Sequence, residues 1–72
     1  MWSVEIVWAP KVGPTKEIFS VFNDLQSAHN FVDQFKRDID VADGRFYNSI
    51  IAEYSSKSFK QIKTIENDGQ YN

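Results

Sequence analysis

Residues 23–40 read NDLQSAHNFVDQFKRDID, and this stretch carries the strongest local pattern in the chain. Its apolar side chains recur every three or four residues and so share one side of a helix: Leu25, Ala28, Phe31, Val32, Phe35 and Ile39. Asn23, followed three residues later by Gln26, is typical of a capping box at a helix start. We therefore predict an amphipathic helix from Asp24 to Asp40, with both phenylalanines of the stripe in the core.

Strand patterns flank this helix on both sides. Residues 2–9 alternate strictly, with Trp2 and Trp8 on the same face, and residues 15–22 form a second strand-like run. The break between the two runs contains two prolines and a glycine, which indicates the turn of a β-hairpin. Residues 46–54 are apolar on both faces, which favours a third strand in the interior of the sheet.

The segment 58–66 carries a divided signal. Its apolar residues fall at helical spacing, but the run is short and rich in β-branched side chains, so a fourth strand is favoured over a terminal helix. The prediction is an α+β domain over residues 1–66, with a mainly antiparallel sheet of three or four strands and one helix on one face. The order ββαβ(β) is shared with β-grasp folds and with other small folds. Residues 67–72 are expected to form a frayed tail.

The composition bears on catalysis and metal binding. The 72 residues include no Cys and one His, which excludes disulfides, thiolate zinc sites and cysteine nucleophiles. The three glycines stand alone, so no phosphate-binding loop is present. His29 and Asp33 are four residues apart on the predicted helix, a spacing that is common among surface pairs. We expect a protein that is not an enzyme and that uses no cofactor or metal.

Charge and hydropathy bear on location and partners. The net charge is −2, with five Asp between residues 24 and 43 and three Lys without an acid between residues 54 and 65. No apolar run reaches the length of a membrane span, and no signal-peptide pattern is present at the N-terminus. We expect a cytoplasmic protein that does not bind membranes.

Aromatic and basic side chains supply the candidate partner-binding residues: Trp2, Trp8, Tyr47, Tyr54, Lys57, Lys60 and Lys63. The two tryptophans belong either to the core or to a binding platform, depending on which face the helix covers. The leading hypothesis is a small module that binds another protein. The alternative is single-stranded nucleic-acid binding, in which bases stack on sheet aromatics beside the Lys57–Lys63 stretch. The acidic net charge counts against that alternative.

The stretch FNDLQSAHNFV, residues 22–32, resembles a recurring pattern in small phage-type proteins of uncharacterised function. Those proteins share a hairpin whose last strand ends in Phe, a polar cap and a helix with an Ala-x-x-Phe motif. The resemblance covers residues 2–54. It implies a viral accessory protein acting in the host cytoplasm, and it implies no activity and no site residues.

Self-association is also expected of this chain. Small domains without disulfides or metals often gain stability by association, and an unprotected strand edge offers backbone groups to a second chain. We predict a homodimer built on the N-terminal hairpin or on an open sheet face, with Trp2 or Trp8 near its centre.

Replacing the single histidine tests whether it has a functional role. Because His29 is assigned to the surface, His29→Ala should change the free energy of unfolding by no more than about 0.5 kcal/mol. The measurement is urea denaturation monitored by circular dichroism. A folded variant that has lost a binding activity of the native protein would contradict the assignment.

Overall fold

A computed structural model describes residues 1–55 and 57–69. The chain forms β1 (Trp2–Ala9), β2 (Lys16–Phe22), α1 (Leu25–Val41), β3 (Arg45–Tyr54) and β4 (Gln61–Gly69). This is the predicted α+β arrangement, in which one helix packs on one face of a four-stranded sheet. No helix in the described residues is both long and apolar enough to cross a membrane.

The strands lie in the order β2-β1-β3-β4, and every neighbouring pair is antiparallel. The helix therefore connects edge strand β2 to interior strand β3, which pairs with β1 on the side away from β2. The β1–β2 register is uninterrupted over seven pairs, whereas β3 has one irregularity opposite β1 and two opposite β4. The interior position of β3 confirms the prediction made from its two apolar faces.

The helix begins one residue later than predicted, because a different side chain caps it. Asp24 is the N-cap: its backbone is extended, and its carboxylate accepts hydrogen bonds from the backbone N–H and the hydroxyl of Ser27, the former at 2.7 Å. Asn23 was expected to fill this role. A carboxylate caps helix N–H groups at least as well as an amide, so the cap moves to Asp24.

The core lies between α1 and the two interior strands. Its fully buried members are Val4, Ile6, Ala28, Val32 and Ile51. Trp2, Trp8, Phe31 and Phe35 pack against this cluster but keep part of their surface exposed. The two helix phenylalanines are therefore at the margin of the core rather than at its centre. One narrow helix brings small residues closest to the sheet, and the large rings close the gaps at its sides.

Most of the segment 58–66, for which the sequence favoured a strand over a helix, belongs to strand β4. This strand also extends further than expected. Asn67, Asp68 and Gly69 had been placed in a frayed tail, but they pair with Ile50, Ser49 and Asn48 of β3. The backbone of β3 offers hydrogen-bonding groups along its whole edge, so pairing continues into this polar sequence. The rest of the predicted tail, residues 70–72, lies outside the described residues.

Two identical substitutions compare the centre of the fold with its exposed surface. Ile6 is fully buried, so Ile6→Ala should lower the free energy of unfolding by about 2–5 kcal/mol through lost packing and a cavity. Ile62 is largely exposed on β4, so Ile62→Ala should change the free energy of unfolding by less than about 1 kcal/mol. Both changes in the free energy of unfolding are obtained from urea denaturation midpoints, with the same dependence on urea concentration (m value) for all the proteins. Equal losses in the two variants would contradict the assigned core.

Candidate functional site

No other element of the described residues covers the face of the sheet opposite the helix. Register places its side chains in rows across the four strands: Val21, Ser3, Ala52 and Thr64 in one row, and Phe19, Glu5, Ile50 and Asn67 in the next. Their neighbours along each strand point toward the helix, because successive side chains of a strand alternate between faces. This face carries several large apolar residues that nothing in the described chain covers.

One end of the uncovered face forms an apolar groove with a volume of about 480 Å³. It is lined by Met1, Ser3, Phe19, Val21, Tyr54 and Phe59, which we call the groove residues. Ser3 and its register partner Ala52 are only 5% and 3% exposed, although no second layer covers them. Larger neighbours shield these small side chains. The groove therefore has a floor at Ser3 and walls of large apolar residues.

Phe59 forms one wall in an unusual backbone conformation. Its φ is +54°, in the left-handed region that residues with bulky side chains rarely adopt, and the residue is 68% exposed. Two backbone hydrogen bonds close the turn around it: Phe59 N–H donates to the Ser55 carbonyl, and Ser55 N–H donates to the Lys60 carbonyl, each at 2.9 Å. The turn thus holds an exposed phenylalanine at a conformational cost of about 1–2 kcal/mol.

The predicted aromatic candidates lie in different places. Trp2 and Trp8 are on the helix side and pack against the core, so neither lies at the centre of the uncovered face. Trp8 makes an edge-to-face contact with Phe35, at 5.5 Å between ring centroids. Tyr47 is half-buried at the irregularity between β1 and β3. Of the predicted aromatic residues, Tyr54 alone lines the groove.

The predicted basic candidates are divided between the two sides of the sheet. Lys57 and Lys60 are exposed in the turn that carries Phe59. Lys63 is in β4 opposite Glu53, which is itself opposite Trp2, so its register places it on the helix side. The structure brings Tyr54 and two of the three lysines to the same end of the sheet, and it separates Lys63 from them.

A second depression lies between the C-terminal part of α1 and strands β3 and β4. At its edge, Lys36 donates a hydrogen bond to the carboxylate of Asp68 and lies 4.8 Å from the ring centroid of Phe46. That hydrogen bond, followed by the positive charge of Lys36, holds the pKa of Asp68 below its ordinary value. The Lys36–Asp68 pair attaches the end of β4 to the helix.

His29 faces β4 rather than its helix neighbour Asp33. Its Nδ1 lies 3.5 Å from a carboxylate oxygen of Glu66, and both side chains are more than one-third exposed. Among the described residues, no three His, Cys, Asp or Glu side chains lie close enough together to hold a metal ion. Two buried polar atoms, Asn48 Oδ1 and Ser49 Oγ, have no hydrogen-bond partner among residues 1–55 and 57–69. They lie in neighbouring residues of β3 that point to opposite faces, so they do not form one site.

Most of the groove residues were not among the sequence-based candidates: Met1, Ser3, Phe19, Val21 and Phe59. The available signal was the alternation of β2, where Phe19 and Val21 share one face and Ile18 and Phe22 share the other. Both sets are apolar, so the pattern did not show which set the helix covers. Comparisons with protein-family models, with curated proteins and with solved structures found no match to this chain.

The Lys36–Asp68 pair predicts a pH dependence of stability. Because the folded-state pKa of Asp68 lies below the unfolded value of about 3.9, the pair stabilises the fold at pH values above about 4. This contribution is lost as the pH falls through the folded-state pKa. Asp68→Asn should therefore lower the thermal midpoint at pH 7 and leave little difference from the native chain near pH 2.

The matched control is Asp33→Asn, the same chemical change on the exposed side of the helix. Thermal midpoints of the three proteins between pH 2 and pH 7 provide the measurement. An Asp68→Asn protein that follows the native profile at every pH would show that the pair contributes nothing to folding.

Proposed function

We propose that this protein is a non-catalytic module that binds another protein through the apolar groove on its uncovered sheet face. The groove itself supports the proposal: five large apolar or aromatic side chains surround a floor at Ser3, and no other element of the described chain covers them. Exposed apolar patches of this kind usually mark interaction surfaces. The floor admits an apolar side chain from a partner, and the walls supply aromatic contact area.

The chemistry of the groove favours an apolar protein surface over a nucleic acid. None of the six groove residues is Lys or Arg, so the groove offers no basic side chain to a phosphate backbone. Lys57 and Lys60 lie outside it, in the adjacent turn, and the net charge of the chain is negative. Nucleic-acid binding by stacking on Tyr54 and Phe59 stays the alternative, and the experiment below separates the two.

The conformation of Phe59 is a second support for the proposal. A left-handed phenylalanine that is two-thirds exposed contributes little to the core. Backbone strain that persists without a benefit to packing is typical of binding and catalytic sites. We infer that Phe59 is presented for contact with a partner.

The resemblance of residues 22–32 to phage-type proteins adds a biological setting to this proposal. A small viral accessory protein, acting in the host cytoplasm, would work by binding another protein and would need no catalytic residues. The groove provides a surface for that role, while the resemblance supplies the viral and cytoplasmic context.

A peptide selection with matched variants tests the proposal. Random peptides displayed on phage are selected on the native protein and then titrated against Phe59→Gly and Phe19→Ser. Glycine adopts φ +54° without strain, and this relief of about 1–2 kcal/mol offsets the roughly 0.5–1 kcal/mol that its greater unfolded-state entropy costs. Phe59→Gly should therefore fold as stably as the native chain and bind the selected peptides at least tenfold more weakly.

Val41→Ser is the control, because Val41 is equally apolar and highly exposed but lies at the end of α1. Its peptide affinity should match that of the native protein. Peptides that bind the native and Phe59→Gly proteins equally would contradict the groove assignment. Salt-dependent binding of a thymidine oligonucleotide that is lost in Lys57→Glu/Lys60→Glu would favour the nucleic-acid alternative instead.

A further inference from the structure

The apolar groove lies between two exposed groups of opposite charge. Toward the far end of the uncovered face, Glu5 stands in the row of Phe19 and Ile50, and Glu17 stands in the next row. At the near end, Lys57 and Lys60 occupy the turn beside Phe59. All four charged side chains are exposed, and none forms an ion pair within the described part of the chain. The face therefore has acidic side chains on one side of the groove and a basic turn at its other end. Arg45, which pairs with Ala9 at the far end of the same face, offsets one of the two carboxylates.

A surface of this kind is complementary to itself. If a second copy packs face to face about a two-fold axis that runs across the strands, its strands run in the opposite direction. Each groove then faces the other groove. Because rotation about this axis keeps each strand at its place across the sheet, the Lys57–Lys60 turn between β3 and β4 lies toward Glu5 on the neighbouring strand β1 of the other copy. Glu17, on β2, stays at the opposite edge. An axis along the strands would instead bring acid against acid and lysine against lysine, so charge selects the first arrangement.

We infer that the partner of the groove is a second copy of this chain, held face to face with its strands reversed. This inference rests on the proposed function, since it names the occupant of the same groove. It also places the contact on Phe19, Val21, Tyr54 and Phe59, and not on Trp2 or Trp8, which pack against the core.

The area of the face sets the strength of this dimer. Four strands about 4.8 Å apart and seven paired residues at about 3.4 Å each make a face of about 19 by 24 Å, on the order of 450 Å² of flat area per copy. Two copies bury about twice that, below the roughly 1,200 Å² typical of stable complexes. The dimer is therefore weak, with a dissociation constant in the micromolar range or above, and it forms in a concentration-dependent manner.

Pairing through the edge of β2 is the competing arrangement. That strand is regular, contains no proline and has one unpaired edge. Edge pairing would leave the groove uncovered and would not bring the acidic and basic groups of two copies together. The face-to-face arrangement uses both features, and charge variants distinguish the two dimers.

Sedimentation equilibrium of charge-swapped variants tests the inference over a roughly hundredfold concentration range. Variant one is Glu5→Lys, and variant two is Lys57→Glu/Lys60→Glu. In a homodimer of either variant, both symmetry-related charge contacts join like charges. Each variant should therefore self-associate at least tenfold more weakly than the native chain. A mixture of the two restores opposite charges at both contacts, so it should form a heterodimer of native strength or greater. Asp33→Lys/Arg37→Glu, on the exposed side of the helix, is the control and should dimerise like the native protein.

A native chain that is monomeric at every concentration would overturn the inference. It would also be overturned by a dimer that both charge variants leave intact, or by one that Ser20→Pro in the edge strand disrupts while the charge variants do not. These failures are separable from failure of the proposed function: a monomeric chain that still binds selected peptides through Phe59 retains the groove but has a different partner.

Discussion

The structure depends on the difference in width between one helix and a four-stranded sheet. A helix with its side chains is about 10–12 Å across, whereas four strands span about 19 Å. The helix covers the two interior strands, where Val4, Ile6 and Ile51 are completely buried. It cannot cover both faces of a sheet, and the chain contains no second helix among its described residues. One sheet face is therefore left uncovered by the described elements.

The arrangement of side chains on that face shows how the protein tolerates it. A flat apolar face would be a general aggregation hazard, but here Ser3 and Ala52 lower the centre of one end while Phe19, Val21, Tyr54 and Phe59 rise around it. Glu5, exposed in the next row on central strand β1, interrupts the apolar surface. The result is a limited concave surface, interrupted by a charge, instead of a continuous flat apolar face.

The remaining polar interactions attach the edges of the fold. Lys36 on the helix pairs with Asp68 near the end of β4, and His29, two turns earlier, lies beside Glu66 of the same strand. Both contacts join α1 to the edge strand that has the most irregular register. They are exposed and individually weak, but they orient β4 relative to the helix. The opposite edge strand, β2, is held by regular pairing with β1 and by the contact of Phe22 with Phe31.

Local sequence patterns were sufficient to predict the elements and their order. The period of the apolar residues predicted the helix, and strict alternation predicted β1, because those periods depend on backbone geometry alone. The sequence also indicated that β3 is interior. It did not reveal the cap at Asp24 or the extension of β4 through Gly69, because both depend on which backbone groups remain unpaired in the folded chain.

The groove, in contrast, required the tertiary structure. Strands β2 and β3 are apolar on both faces, so alternation shows two faces without showing which one the helix covers. Tyr54 was among the sequence-based candidates, but the residues that line the groove with it, Met1, Phe19, Val21 and Phe59, are brought to it from three other segments by strand pairing. The left-handed conformation of Phe59 has no signal in the sequence, because it arises from closure of the turn between β3 and β4. Pairing between strands that are distant in the sequence therefore decides which exposed side chains lie together in the groove. Local sequence patterns do not contain this information.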